Sequence, residues 1–466
     1  MNDARDLQLA FFGDDFTGST DALESMTRAG AETILFLEPP TPDRWAPYAD
    51  RQAFGIAGLT RAMPPEDATR VLEQAFTRIR EIRPRHLHYK VCSTFDSSPE
   101  IGSIGAAIDV GRRVFANPLT PVVVAAPHLG RYVAFGNLFA RANIGSDAAI
   151  HRLDRHPSMR HHPTTPADEA DLRRHLARQC DYEMGLIDLL DLERSAEAIR
   201  ETLEAQAGRG AQVLFFDGTY EPQMARIGAA METLRGDQPT LFSVGSSGVE
   251  KALGDHWAAT GALQPRTRWS EVAACDTCLV LSGSVSPVTA GQIRVAREAG
   301  FADIPVAPEA LDDETDQNRL IEAYADRIAG ALRRGCSVML HSCEGPDDPR
   351  LGACREILTR RGPGSRRARR MTARLFGEIL GGAARLALDR AHPGRLVVAG
   401  GDTSSWVARS LGIEAVEMIA PLYPGSPLCR AFAPGSPVDH MEINLKGGQV
   451  GDEHYFPALR QGRVGP

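Results

Sequence analysis

"LQLAFFGDDFTGSTDALESMTRAGAETILFL", residues 7–37, changes its hydrophobic period twice. "LQLAFF" is an apolar run of strand length. In "STDALESMTRAG" the residues Ala22, Leu23, Met26 and Ala29 share one helical face and Gly30 stops the helix, after which "TILFL" is again strand-like. Residues 7–37 therefore read as a β-loop-α-β unit. The alternation continues through "RQAFGIAGL", the helix-like "PEDATRVLEQAFTRIREI", "HLHYKV", "PVVVAAP", "QVLFFDG" and "TLFSVGSS". Strands alternating with helices predict an α/β fold with a mainly parallel sheet covered on both faces.

The chain has 466 residues, more than a single core usually organises, so two domains are expected. "ATGALQPRTRWSEVAA", ending at Ala274, has Gly, Pro and mixed charge without a sustained period and reads as the linker. Beyond it the pattern restarts with "CLVLSGSVSPVTAGQI", "SVMLHS" and "RLVVAGGDTSSWVARSLG". The expectation is a domain over residues 1–258 and a second over 275–466, with an active-site cleft between them.

Composition narrows the function. Hydrophobic residues make up 43% and charged residues 24%, as in ordinary globular proteins. A formal net charge of -8 and a pI of about 5.9 argue against nucleic acid or an anionic membrane as partner. The N-terminus lacks the pattern of a signal peptide and no window has the length of a spanning helix, so a cytoplasmic protein is expected. The eight cysteines are scattered, which suits free thiols, and the Cys275–Cys278 pair, running straight into an apolar strand, reads as structural.

Two stretches break the alternation. "HRLDRHPSMRHHPTTPADEADL", residues 151–172, is too polar and proline-rich for a sheet strand and is expected to be a long surface loop. Its histidines at 151, 156, 161 and 162 are irregularly spaced, so a loop that covers the substrate or meets another subunit is expected rather than a metal site. "RRGPGSRRARR", from Arg360, reads as a solvated loop or helix start, with counter-ion duty toward phosphates as the alternative.

In an open parallel sheet, ligands bind beyond the C-terminal ends of the strands. In the first domain those positions are Gly13, Asp14, Asp15 and Thr17, then Thr60 and Arg61, then Lys90, Cys92, Ser93, Thr94 and Asp96. This mixture of charges suits a small hydroxylated acid: Arg61 and Lys90 can pair a carboxylate, and Asp14 or Asp15 can accept from hydroxyls. In the second domain "LSGSVS", "AGGDTS" and "INLKGGQVGD" place Ser284, Gly400, Gly401, Thr403, Lys446, Gly447 and Gly448 at glycine-hydroxyl loops, two of them directly before helices, where free N–H groups favour phosphate. No Walker lysine or dinucleotide fingerprint is present. The loop at Asp14 and Asp15 has a P-loop's glycine spacing, but its carboxylates would repel a triphosphate, so it is expected to face the substrate.

These residues resemble the four-carbon acid sugar kinases, which phosphorylate threonate, erythronate or 3-oxo-tetronate with ATP. The likeness runs in order along nearly the whole chain: "DDFTG" from Asp14, Thr60-Arg61, "GRYVAFGNLF" with Gly130, Arg131 and Gly136, "HPTTPADEADL" from His162, "SGSVSPVTAGQI" from Ser282, "GGDTS" from Gly400 and "LKGGQVGDEHYF" at the close. It implies ATP and Mg²⁺ as cofactors and a kinase acting on a terminal hydroxyl. Asp15 or Asp14 would be the base; Arg61, Lys90, Cys92, Ser93, Thr94 and Arg131 would hold the acid; and Ser284, Gly400, Gly401, Asp402, Thr403, Lys446, Gly447 and Gly448 would hold ATP. Asp402 is a candidate Mg²⁺ ligand through water or equally a helix cap. A homodimer is left open.

One segment departs from the family pattern. Where most members resemble Lys-x-Asp-Ser-Thr-Leu-Arg-Gly, this chain has "KVCSTFDSS", with Cys92 in place of an acid and Asp96-Ser97 in place of Arg-Gly. The variant resembles the branch that acts on 3-oxo-isoapionate, with 3-oxo-tetronate, and then D-threonate or D-erythronate 4-kinase activity, as alternatives. A rival of another class, an NAD-dependent sugar-acid oxidoreductase, predicts a dinucleotide fingerprint where Asp14 and Asp15 stand. A non-catalytic sugar-acid sensor leaves the second glycine-rich domain without a purpose.

Overall fold

The computed structural model describes residues 7–142, 149–162, 164–312, 316–360 and 365–463, without the side chains of 365–371 and Asp402. They form two compact α/β units that divide at Thr267.

In the first unit, β1 (Leu9–Gly13) is buried at every position, as a strand covered on both faces must be. The helix Phe16–Arg28 follows, and the Asp15 side chain caps it by accepting the Gly18 N–H. Ala22, Leu23 and Met26 are buried as the period predicts. Further strands are β2 (Thr33–Phe36), β3 (Ala53–Ala57), β4 (His86–Lys90) and β5 (Thr120–Val123). A small antiparallel sheet comprises β6 (Arg131–Ala134), β7 (Asn137–Arg141) and β8 (Ile150–Arg152). β9 (Met184–Ile187), β10 (Val213–Phe216) and β11 (Leu241–Gly245) complete the unit. The main sheet runs β2-β3-β1-β4-β11-β5-β10-β9, parallel throughout. Its register sets Gly13 beside Ala57 and Lys90, and Lys90 beside Gly245, so the loops that follow emerge along one edge.

β8 corrects the expectation of a strandless segment after residue 150: Ile150, His151 and Arg152 pair with Arg141, Ala140 and Phe139. A polar sequence suffices because none of the three residues is buried. The histidines beyond it bond locally. His156 Nδ1 accepts the Ser158 N–H and His162 Nδ1 accepts the Thr165 N–H.

No helix or strand lies between Ala259 and Cys278. The second unit contains β12 (Cys278–Ser282), β13 (Ala302–Pro305), β14 (Val338–His341), β15 (Arg395–Ala399), β16 (Ala415–Tyr423), β17 (Ser426–Phe432) and β18 (Glu442–Lys446), ordered β13-β14-β12-β15-β18-β17-β16. The first five positions are parallel, and β17 is antiparallel to both β18 and β16. The basic run from Arg360 leads into the helix Ser365–Leu388, its residues 361–364 lying outside the described residues.

Candidate active site

The strand register of the first unit gathers the charged residues of its loops. The Asp14 N–H donates to the Lys90 carbonyl at 2.8 Å, and the Arg61 N–H donates to the Asp14 carbonyl at 2.9 Å, so three strand ends are tied before any side chain is placed. Arg61 then donates from Nε and Nη2 to both oxygens of Asp14, at 2.9 and 2.6 Å, and from Nη1 to Asp15 Oδ2 at 2.5 Å. The other oxygen of Asp15 accepts the Gly18 N–H at 2.7 Å. Lys90 Nζ lies 3.5 Å from Asp21. Gly18 has to lack a side chain: a Cβ there would sit 2.5 Å from Asp15 Oδ1 and 3.2 Å from Lys90 Nζ.

Burial pushes the Asp14 carboxyl upward, against the pull of Arg61 and with the help of the Asp15 charge. Burial works against the charges of Arg61 and Lys90, but Asp14 and Asp15 hold the first above its ordinary value and Asp21 the second. The Cys92 thiol is pushed up to about 11 by burial and Asp96, so it is protonated at neutral pH and is no nucleophile. Its Sγ is 2.9 Å from Thr94 Oγ1, and Ser93 is half-buried beside it. Arg131 lies at the start of β6, with Nη1 donating to the carbonyls of Leu129, Gly130 and Arg141.

Arg61, expected to pair the ligand's carboxylate, gives three of its five N–H groups to Asp14 and Asp15, which it holds in place. Three residues absent from the sequence reading belong here. Asp21 neutralises Lys90 one helical turn beyond Thr17. Asp217, fully buried at the end of β10, accepts the N–H groups of Phe135 and Gly136 at 2.6 and 2.9 Å and holds the tip of the β6–β7 hairpin. Ser247, in the loop after β11, is buried and its Oγ has no hydrogen-bond partner among the described residues. Asp217 carried a signal, an acid directly after an apolar strand; the other two did not stand out.

Glycines and hydroxyls predominate directly after β12, β15 and β18 of the second unit. Ser282, Gly283 and Ser284 follow β12, and Ser286 caps the helix Pro287–Glu298. The Gly283 N–H donates to the Ala399 carbonyl and the Gly400 N–H to the Lys446 carbonyl, each at 3.0 Å, which aligns the three glycine loops. They converge on Ser284. A Cβ on Gly448 would be 2.5 Å from Ser284 Oγ, one on Gly400 3.2 Å from the Ser284 nitrogen, and one on Gly283 2.4 Å from the Thr403 side chain. Gly400 has φ +123°, and Gly401 opens the helix Gly401–Ser410 with its N–H groups toward the loops. Gly447 is buried behind Gly448. The Asp402 side chain lies outside the described residues.

Lys446, expected at the nucleotide, is buried in the second unit. Only 1% exposed, it lies under the loops, with Nζ donating to Gln292 Oε1 at 2.8 Å and to Thr289 Oγ1 at 3.4 Å. The rings of Tyr455 and Phe456 are 5.3 and 5.8 Å away. With no carboxylate partner among the described residues, burial pulls its ammonium down to about 7. Elsewhere in the second unit, Asp303, His341 and Glu344 bring possible ligand atoms within 4.8 Å, but Arg297 already bonds both carboxylates, at 2.8 and 2.7 Å.

A charged strand edge in one unit and a glycine-lined strand edge in the other fit a kinase of small hydroxylated acids. Comparison with known proteins agrees. The family model of a sugar-binding N-terminal domain matches residues 9–253, and that of a nucleotide-binding C-terminal domain matches residues 279–456. The chain belongs to the four-carbon acid sugar kinase family and is a carbohydrate kinase, with the use of ATP that this implies. It is 42% identical over 462 residues to the 3-oxo-isoapionate kinase of Paraburkholderia graminis, covering 98% of this chain and 95% of the relative. It is 30% identical over 461 residues to the 3-oxo-tetronate kinase of Methylobacterium radiotolerans, covering 97% and 98%. A crystal structure of a Salmonella typhimurium LT2 protein, 25% identical, superposes with a TM-score of 0.72 over 98% of this chain and 99% of that one. Among the described residues, no helix is long and apolar enough to cross a membrane.

Proposed function

We propose that this kinase transfers the γ-phosphate of ATP to a terminal hydroxyl of 3-oxo-isoapionate. The acid binds at the Asp14–Asp15–Arg61 cluster and the nucleotide at the glycine loops around Ser284. The observation that carries the reading is the Arg61 fork, which fixes two carboxylates side by side at the mouth of a parallel sheet. The substrate itself is taken from the Paraburkholderia graminis relative, whose likeness spans both units.

Phosphoryl transfer asks a protein for positioning and for stabilisation of spreading negative charge. The acceptor hydroxyl donates its proton to Asp15, whose side chain is 22% exposed while that of Asp14 is 4%. As the substrate oxygen bonds to the γ-phosphorus, the bond from that phosphorus to the bridging oxygen breaks and ADP departs. Asp14 keeps Arg61 in register. In the other unit, backbone N–H groups at the start of the helix Gly401–Ser410 and the hydroxyls of Ser284 and Thr403 hold the phosphates. Those hydroxyls are hard oxygen donors and suit Mg²⁺, which keeps most of its waters. When bound, Mg²⁺ supplies charge neutralisation on the phosphates.

The test is ADP release from ATP with a panel of acids: 3-oxo-isoapionate, 3-oxo-tetronate, D-threonate and D-erythronate. Turnover highest with 3-oxo-isoapionate is the expected result. Preference for an unbranched acid would move the assignment within the family, and no ADP with any acid would overturn it.

A further inference from the structure

The Cys275–Cys278 pair, expected to be structural, has the geometry of a reactive one. Its two sulfurs are 3.4 Å apart and share a hydrogen bond, about 1.4 Å beyond the length of a disulfide bond. Cys278 opens β12, is fully buried and is registered against Arg395 at the start of β15. Cys275 lies three residues earlier, outside any strand, and is only half-buried, with exposed Ala274 and Asp276 on either side. One sulfur is open to a small reagent, and the other is reached through it.

The surrounding backbone fixes this arrangement. The Cys275 N–H donates to the Arg460 carbonyl at 2.8 Å, and the Gly394 N–H donates to the Thr277 carbonyl at 2.9 Å. Arg395 Nη2 donates to the Ala273 carbonyl at 3.1 Å. The segment ahead of β12 is thereby strapped to β15 and to the helix Tyr455–Arg460. Gly394 leaves room for the thiol: a Cβ there would lie 2.6 Å from Cys275 Cβ and 3.6 Å from its Sγ. The hydrogen bond from Cys278 pulls the Cys275 thiol down to about 7, against burial and with the help of Arg395 and Arg460, and the same bond and burial push the Cys278 thiol up. At neutral pH Cys275 therefore carries thiolate while Cys278 keeps its proton. Burial pushes the thiols of Cys92 and Cys354, by contrast, up to about 11.

We propose that Cys275 and Cys278 form an oxidation site for hydrogen peroxide, with Cys275 as the attacking sulfur and Cys278 as the one that closes a reversible disulfide. The Cys275 thiolate attacks one peroxide oxygen and the O–O bond breaks, leaving a sulfenic acid and a hydroxide that takes up the proton Cys275 had given off. Cys278 then attacks the Cys275 sulfur, the S–O bond breaks, and the hydroxyl leaves as water with the Cys278 proton. Two thiols are oxidised and one peroxide is reduced to two waters. Closing the disulfide keeps Cys275 from irreversible oxidation and ties the segment ahead of β12 to the strand that leads to the Ser284 loop.

The experiment titrates the folded wild type with hydrogen peroxide, blocks the remaining thiols by alkylation and follows every cysteine by peptide mass spectrometry. The tryptic peptide of residues 269–294 contains both sulfurs. It should lose two hydrogen atoms about tenfold faster than any other cysteine peptide is oxidised, the ratio expected between a half-ionised thiol and an ordinary one. Dithiothreitol should restore both thiols. In Cys278→Ser the reaction should stop at a sulfenic acid on Cys275, trapped by dimedone, and excess peroxide should carry it to a sulfinic acid that dithiothreitol does not reverse. In Cys275→Ser, Cys278 should stay unmodified. A wild-type peptide still unchanged when other cysteines have been oxidised overturns the proposal, as does one that gains oxygen without losing hydrogen. Oxidation of Cys278 in Cys275→Ser at the wild-type rate overturns it as well.

Discussion

The two strand edges of this enzyme handle charge in opposite ways. In the first unit Asp14, Asp15, Asp21, Arg61 and Lys90 interlock, each ion held by another. In the second, glycines and hydroxyls line the loops, and the buried Lys446 rests on Gln292, Thr289 and two aromatic rings. Balanced charges suit a site that must hold a carboxylate ready to take a proton. An unbalanced cation under a lining of N–H groups suits a site whose ligand brings the negative charge with it.

The sharpest way to separate the two edges is to remove the proton acceptor. Asp15→Asn should lower kcat by about 10²–10⁴-fold, the usual worth of a general base, while ADP binding measured by calorimetry stays unchanged. Full turnover in Asp15→Asn together with its loss in Asp14→Asn would exchange the roles of the two residues.

The next effect lies at Lys446. The free chain keeps this ammonium charged up to its ordinary 10.5, whereas the folded protein holds it neutral above about 7. Between those limits the unfolded state binds more protons, so stability rises with pH; below about 7 the contribution is flat. In urea titrations, wild type minus Lys446→Met should change by up to about 1.4 kcal/mol per pH unit across that window. Phosphates would restore the charge, so ADP binding should weaken as pH rises through about 7, and Lys446→Met should lose this dependence.

Gly448→Ala should act on one edge only. Its Cβ would crowd Ser284 Oγ at 2.5 Å, which should weaken ADP binding by roughly tenfold, about 1.4 kcal/mol, and leave binding of the acid unchanged. The smallest effect is structural. Asp15→Ala removes a helix cap and should cost about 1 kcal/mol in thermal unfolding, whereas Asp15→Asn, still a capping residue, should cost a few tenths of that.

Much of this was legible from local pattern. The period changes in residues 7–37 locate β1, the helix Phe16–Arg28 and β2, because a strand covered on both faces and a helix covered on one write different spacings into the chain. Loop residues after strands were found the same way. What escaped depends on partners distant in sequence. Arg61 could be recognised as a strand-end cation, but that its donors go to residues 46 and 47 positions away follows only from the sheet order. β8 carries no apolar alternation because its partner strand, not a core, defines it. Lys446 sits in a glycine motif, and its retreat beneath the loop depends on Tyr455 and Phe456, which arrive with a later helix.

Asp15 is the cap of a helix and, in the proposed mechanism, also the carboxylate that faces the hydroxyl. Its Oδ1 restrains the Gly18 amide while Oδ2 rests on Arg61. Anything that draws the carboxylate toward a ligand must loosen that amide. Deuterium uptake at Gly18 should therefore rise when the acid binds and fall when it leaves, which gives the enzyme a built-in occupancy gauge readable without turnover.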